Sequence, residues 1–170
     1  GRAALTAETQ GDKSVAVGNG ALGSQNGTDG DVHNTAVGHA AGGSITSGTL
    51  NTLVGSLSGD ALTTGITNVA LGYGTLGAEV GGHRSTALGY DALSNQTNAT
   101  SVNANNTAVG YNAGGAVTSG IQNTIMGSLA GDALTDADYN TAVGQSALTA
   151  DTMGSRNTAI GRGALQAQNF

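Results

Sequence analysis

A five-residue phrase of alternating polar and apolar positions recurs along the whole chain, and Asn34-Thr35-Ala36-Val37-Gly38 is one copy of it. Alternate side chains of a β-strand point to opposite faces, so the threonine and the valine share one face and the alanine lies on the other. The position before glycine is apolar in every copy, and we therefore expect this aliphatic column to form the core. It consists of Val17, Val37, Val54, Leu71, Leu88, Val109, Met126, Val143 and Ile160. The alanine column between would let another backbone approach closely.

A glycine closes every phrase, and these turn glycines set the period of the chain. They are Gly18, Gly38, Gly55, Gly72, Gly89, Gly110, Gly127, Gly144 and Gly161. Counted from Gly1, the intervals are 17, 20, 17, 17, 17, 21, 17, 17 and 17 residues. A fixed period of this length predicts an all-β parallel β-solenoid of about ten coils of 17–21 residues. We expect glycine here because the chain turns through a conformation that disfavours a Cβ atom.

A longer period lies above the first, because residues 51–62 return almost unchanged as residues 123–134, 72 positions later. A four-coil block of 71–72 residues is therefore duplicated, and residues 1–170 form a single repeat segment. Duplication of this kind is typical of a shaft or spacer. Residues 1–5 match the phase of residues 161–165 and no initiator methionine is present, so we expect a fragment of a longer chain.

Composition narrows the classes of function. The chain has 30 glycines and only 9% charged residues, and it lacks proline, cysteine and tryptophan, which leaves little for a deep core. A thin core and a small-residue face favour burial against neighbouring copies, and we expect a homotrimer closed around a common axis. The net charge of −6 with five basic residues makes nucleic acid an improbable partner. No apolar run is long enough for direct membrane insertion.

The segment from Lys13 to Ala21, Lys-Ser-Val-Ala-Val-Gly-Asn-Gly-Ala, closely resembles the head repeat of trimeric autotransporter adhesins of the YadA type. The runs of Asn-Thr-Ala-Val-Gly-Tyr-x-Ala look even more like the shafts of phage tail fibres. The resemblance implies a left-handed β-roll that forms an intertwined homotrimer outside the cell. It implies a shaft or receptor-binding part of a virion tail fibre that serves host attachment, with other fibre or baseplate proteins as partners. The alternative is a bacterial surface adhesin head or a secreted, self-assembling filament.

Candidate receptor contacts lie at the turns and in the long loops. Tyr73, Tyr90 and Tyr111 each follow a turn glycine on three successive coils, and we expect an exposed aromatic ladder that stacks on sugar rings or stiffens the turn. The loops at residues 23–33 and 94–105 are the longest polar segments, and they would contact a cell-surface receptor or glycan. Within them the candidate contacts are Asn95, Asn98 and Asn103.

The sequence signals for metal binding, catalysis and ice binding are weaker. The pairs Asp29/Asp31 and Asp136/Asp138 have the spacing of calcium loops but lack a full ligand set, so we expect solvated loop acids and neither metal nor cofactor. Glu8, Glu79 and Asp151 recur at one phase of the block, which favours architecture over catalysis, and no nucleophile with a base points to an enzyme. Regular threonine columns are also typical of ice-binding solenoids. Here the column shares a face with the expected core, which argues against that function.

Overall fold

The computed structural model describes residues 1–27, 30–98 and 101–167. Its eleven strands are β1 (Gly11–Asp12), β2 (Val15–Val17), β3 (Gly30–Asp31), β4 (Thr35–Val37), β5 (Thr52–Val54), β6 (Val69–Leu71), β7 (Thr86–Leu88), β8 (Thr107–Val109), β9 (Thr124–Met126), β10 (Thr141–Val143) and β11 (Thr158–Ile160). Nine of them, all except β1 and β3, form one parallel sheet in which each strand pairs with the strand one coil on. The fold is a parallel β-solenoid without a helix in the described residues, so the predicted all-β solenoid is confirmed, with about eight turns where the sequence predicts about ten.

The register of the sheet keeps equivalent positions of the phrase on top of each other. Thr35 lies opposite Thr52, and Val37 lies opposite Val54. The two longer coils do not disturb this register, because their extra residues stay in the loops. β3 of the first long coil pairs with β1 of the coil before it, and Asn103 of the second long coil forms a bridge to His83 of the coil before it.

The alanine column, not the aliphatic column, faces the interior of the solenoid. Ala36, Ala70 and Ala108 are fully buried, whereas Val17 is 55% exposed and Ile160 is 69% exposed. The prediction that the column from Val17 to Ile160 forms the core is therefore wrong. Alternation assigned the two faces correctly, but the interior side had to be the small one because leucines from the opposite wall of each coil fill the space. These leucines are Leu22, Leu76, Leu93 and Leu148.

Where a coil has a large residue in the alanine column, a glycine on the opposite side of the interior leaves space for it. Leu53 and Ile125 are the large members of the alanine column, and both are fully buried. Glycines lie across from them: a Cβ atom added to Gly42 would lie 2.7 Å from Leu53 Cδ1, and one added to Gly114 would lie 2.8 Å from Ile125 Cδ1. Close packing of this kind explains why a thin core of small residues excludes voids.

A ladder of buried asparagines joins the coils next to the sheet. The backbone N–H of Asn51 donates to Asn34 Oδ1 at 2.9 Å, and the backbone N–H of Asn68 donates to Asn51 Oδ1 at 2.9 Å. The Asn51 side-chain amide also donates to the carbonyl of Gly65 at 2.9 Å. Each asparagine therefore satisfies backbone groups of two coils, which explains why this amide recurs before the threonine.

The turn glycines have the conformation that the sequence predicts. Their φ angles lie between +118° and +145°, a region that side chains with a Cβ atom rarely adopt. The nine glycines from Gly18 to Gly161 therefore end the nine strands of the sheet.

An exposed sheet face as candidate functional site

The outward face of the nine-stranded sheet carries two parallel columns, and we call it the sheet face. One is the aliphatic column given above. The other is the threonine column, which consists of Val15, Thr35, Thr52, Val69, Thr86, Thr107, Thr124, Thr141 and Thr158. Neither column contains a charged residue. Leu71 is 46% exposed and Met126 is 45% exposed, so the face presents contiguous apolar groups to the solvent.

The threonine hydroxyls of the sheet face are unpaired. Among the described residues, none of the seven threonines in the column donates a hydrogen bond to the protein from its hydroxyl. Loop threonines behave differently, because the Thr63 hydroxyl donates to the Val80 carbonyl at 3.1 Å and the Thr135 hydroxyl donates to the Thr152 carbonyl at 2.9 Å. The sheet face therefore offers a row of free hydroxyls, repeated once per coil at ~4.8 Å.

Two edges border the sheet face. The corner edge consists of the residues immediately before the asparagine ladder: Lys13, His33, Leu50, Thr67, Arg84, Asn105, Gln122, Tyr139 and Arg156. All nine have φ between 50° and 64°, so the chain turns a corner there in every coil. The turn edge consists of the residues that follow the turn glycines: Asn19, His39, Ser56, Tyr73, Tyr90, Tyr111, Ser128, Gln145 and Arg162. The corner edge was not predicted from the sequence as a unit. Its variable and mostly polar residues nevertheless mark the exposed corner of each repeat.

The tyrosines of the turn edge form the ladder that the sequence predicts. Tyr73 stacks on Tyr90 with ring centroids 5.2 Å apart, and Tyr90 stacks on Tyr111 at 5.7 Å. All three rings are exposed. Because both faces of Tyr90 are covered by its neighbours, this ring offers only its edge and hydroxyl to a ligand. The geometry favours stiffening of the turn over stacking on a sugar.

The three candidate asparagines of the second long loop have different environments. Asn95 and Asn103 are exposed, and the Asn95 amide donates to the Gly115 carbonyl at 2.6 Å. Asn98 is only 4% exposed, and its backbone N–H donates to Glu79 Oε2 at 3.3 Å. Asn98 as a receptor contact is therefore wrong, because the carboxylate draws it into the interior. Residues 28–29 and 99–100 of the two long loops lie outside the described residues.

The recurring acids are architectural, as the sequence predicts. Glu79 Oε1 accepts the backbone N–H groups of Val80, Gly81 and Gly82 at 3.0, 3.2 and 2.8 Å, and Glu79 Oε2 accepts the Gln96 amide at 2.6 Å. Asp151 accepts the N–H of its own turn in the same way. These carboxylates satisfy buried turns and leave no oxygen directed at a cleft.

Glu8 is the equivalent carboxylate in the coil that precedes the first long coil, and it accepts the Gln25 amide at 2.8 Å. Desolvation raises its pKa, but hydrogen bonds from the backbone N–H groups of Gly11, Gln10 and Gly27 and from Gln25 outweigh this effect. The net result lowers the pKa of Glu8 to about 2. Glu8 is therefore an ionised structural acceptor at neutral pH.

The loop acids are engaged in local contacts. Asp31 pairs with Lys13 at 2.5 Å, and Asp136 accepts the hydroxyls of Thr118 and Ser119, both at 2.8 Å. Asp138 accepts the backbone N–H of Ile121 at 2.8 Å. Asp29 lies outside the described residues, and within them no group of three or more acidic, histidine or cysteine side chains could hold a metal ion.

Comparison with known proteins found no matching family model and no similar protein among curated sequences or solved structures. In the described part of the chain, no helix is long and apolar enough to cross a membrane. The sheet face and its two edges are therefore the candidate functional surface of this chain.

Proposed function

We propose that this chain is a segment of an extracellular adhesive fibre and that three copies assemble in parallel around the sheet face. The observation that carries the proposal is the outward-facing aliphatic column, which runs along all nine strands of the sheet and is exposed or half-buried in each of them. Contiguous apolar patches of this kind mark interaction surfaces in soluble proteins. A column that repeats once per coil is matched along its length by the same column of another copy.

The thin interior supports assembly. The alanine column contributes one small side chain per coil to the core of its own chain. Burying an exposed Val or Leu against a neighbour contributes up to about 1.5–3 kcal/mol, and this gain repeats in every coil. A ring closed around one axis gives every copy the same contact and leaves no aliphatic column uncovered. Three copies is the number that the resemblance to adhesin heads and tail-fibre shafts implies.

The adhesive part of the proposal rests on the same resemblance. We place the segment first in a phage tail fibre, as a shaft or receptor-binding part, with a bacterial adhesin head or a secreted filament as the alternative. Contacts to a receptor or glycan would come from the exposed long loops, including Asn95 and Asn103. Weak contacts repeated on three chains gain avidity from rigid spacing.

Replacing Leu71 by lysine tests the assembly. Leu71 lies in the middle of the aliphatic column, so three lysines would meet in the proposed interface. We expect the dissociation constant of the trimer to rise ~100-fold or more, since both apolar contact and desolvation of charge oppose assembly. Sedimentation equilibrium of the purified chain over a concentration series measures this change.

Val80→Lys is the matched control. Val80 is 44% exposed, close to the 46% of Leu71, but it lies on a loop outside the sheet face. We expect this variant to assemble as the unmodified chain does. Equal behaviour of the two variants, or a folded monomer for the unmodified chain, would contradict assembly through the sheet face.

A second candidate function is ice binding, and the free threonine hydroxyls favour it. The sequence predicts that the threonines share a face with the core, which would argue against ice binding. In the structure the threonines instead lie on the outward face, together with the aliphatic column. A regular row of hydroxyls and methyl groups can order water. Thermal hysteresis of a monomeric chain would favour this function, whereas a trimer without hysteresis would support the fibre.

A further inference from the structure

Arg84 is an exposed cation of the corner edge without an intrachain partner among the described residues. The other two strongly basic residues of that edge are engaged, because Lys13 pairs with Asp31 and Arg156 lies 5.4 Å over the ring of Tyr139. The guanidinium of Arg84 takes part in no ion pair or hydrogen bond in the part of the chain that the structure describes. Such a charge on the border of an apolar face is available to a second molecule.

Asp91 supplies the opposite charge beside the other border of the sheet face, where it follows Tyr90 of the turn edge. Arg84 precedes strand β7 and Asp91 follows it, so the two residues flank the same strand. No cation pairs with its carboxylate in the described ranges, and its charge is the leading cause that raises the pKa of Tyr90. The same coil therefore carries one unpaired positive and one unpaired negative group on opposite borders of the sheet face.

A closed ring brings these two borders together. When copies are related by rotation about an axis along the stacking direction, the corner edge of one copy meets the turn edge of the next. A rotation adds no shift along its axis, so residues of the same coil lie at the same height. On the basis of the proposed assembly, we infer that Arg84 of each copy pairs with Asp91 of its neighbour. This pair fixes the axial register of the fibre.

The charge pair would determine the axial register between copies, which hydrophobic contact alone does not determine. Equivalent positions of the sheet face recur at ~4.8 Å, so a slip by one coil would preserve apolar contact between copies. A charge pair that occurs in one coil penalises such slips, because a displaced Arg84 would face uncharged residues. The residues equivalent to Asp91 in the adjacent coils are Gly74 and Asn112.

Cysteine cross-linking tests which borders meet, and the chain is suited to it because it contains no cysteine. The variant Arg84→Cys/Asp91→Cys, treated with a short bismaleimide, is expected to give covalent trimers on a denaturing gel. The single variants Arg84→Cys and Asp91→Cys serve as controls and are expected to stay monomeric on that gel.

A double-mutant cycle tests the charge pair itself. Arg84→Gln and Asp91→Asn are each expected to raise the trimer dissociation constant about tenfold, and the combined variant is expected to lose no more than either single variant. Asparagine is chosen because Asp91 has φ +52°, a conformation that asparagine tolerates.

The outcomes separate this inference from the proposed function. A monomeric unmodified chain overturns both. A trimer in which either single-cysteine variant cross-links as well as the double variant overturns only the pairing, since like borders would then meet. A trimer with additive losses in the cycle, about hundredfold in the combined variant, also overturns the pairing.

Discussion

Replacing Gly72 by alanine is expected to lower the free energy of unfolding by about 3–5 kcal/mol. Gly72 has φ +135°, and a Cβ atom added there would lie 2.0 Å from the carbonyl oxygen of Gly89 in the next coil. Both are backbone positions, so no flexible side chain can move aside. The alanine must shift one coil against the next in a sheet whose register is shared by nine strands.

Gly161→Ala is the control that separates backbone strain from the close contact with the next coil. Gly161 has a similar φ of +118°, but no atom lies within 4 Å of the position its Cβ would take. Backbone strain alone predicts a loss of about 1–3 kcal/mol for this variant. Chemical denaturation of both variants measures the difference, and equal losses would show that the contact between coils is not what demands glycine.

Replacing Asn51 by alanine is expected to cost about 3–5 kcal/mol of unfolding free energy. The substitution removes the acceptor for the backbone N–H of Asn68 and the donor to the carbonyl of Gly65, and Asn34 Oδ1 loses a side-chain donor. All these groups are buried between coils, where water cannot replace the lost partners. An orphaned buried group costs more than the hydrogen bond itself contributes.

Asn157→Ala provides the comparison within the same ladder. The backbone N–H of Asn157 still donates to Asn140 Oδ1 after the change, and only the amide bond to Asp151 is lost. We expect a smaller loss of about 1.5–2 kcal/mol, because one bond to the buried carboxylate of Asp151 is removed. Thermal or denaturant unfolding of both variants measures the two losses, and an equally mild effect of Asn51→Ala would contradict a structural role of the asparagine ladder.

The coil architecture follows from the sequence because spacing encodes it directly. A turn glycine every 17 residues, with inserts confined to two coils, requires in-register stacking, and the pairing of Thr35 with Thr52 shows that register. The recurring acids were also predictable as architecture. A residue such as Glu79 that returns in each block satisfies the same buried turn each time.

The inside and the outside of the strand were not predictable from the phrase itself. Period-two alternation separates the two faces without assigning either one to the interior. The assignment depends on what the opposite wall contributes, and Leu22 and Leu93 fill the interior from residues outside the phrase. Large aliphatic residues on the outside are unusual for a chain considered alone, and they become consistent when other copies cover them.

The candidate contacts show the same limit. The tyrosine ladder was predictable because it depends only on position within the coil. The burial of Asn98 was not, since it depends on the carboxylate of Glu79 from the preceding coil. The pairing that we propose for Arg84 and Asp91 could not be predicted from the sequence, because it depends on where the two borders of the sheet face lie in the structure.

If other copies cover the sheet face, the two methionines of the unmodified chain should differ in their access to solvent. Met126 belongs to the aliphatic column and Met153 lies in a loop, with exposures of 45% and 64% in the single chain. Brief treatment with hydrogen peroxide, followed by mass spectrometry, measures sulfoxide formation at each. We expect rapid oxidation of Met153 and strong protection of Met126 until the assembly is dissociated. Similar oxidation rates at the two residues in the native protein would contradict assembly through the sheet face.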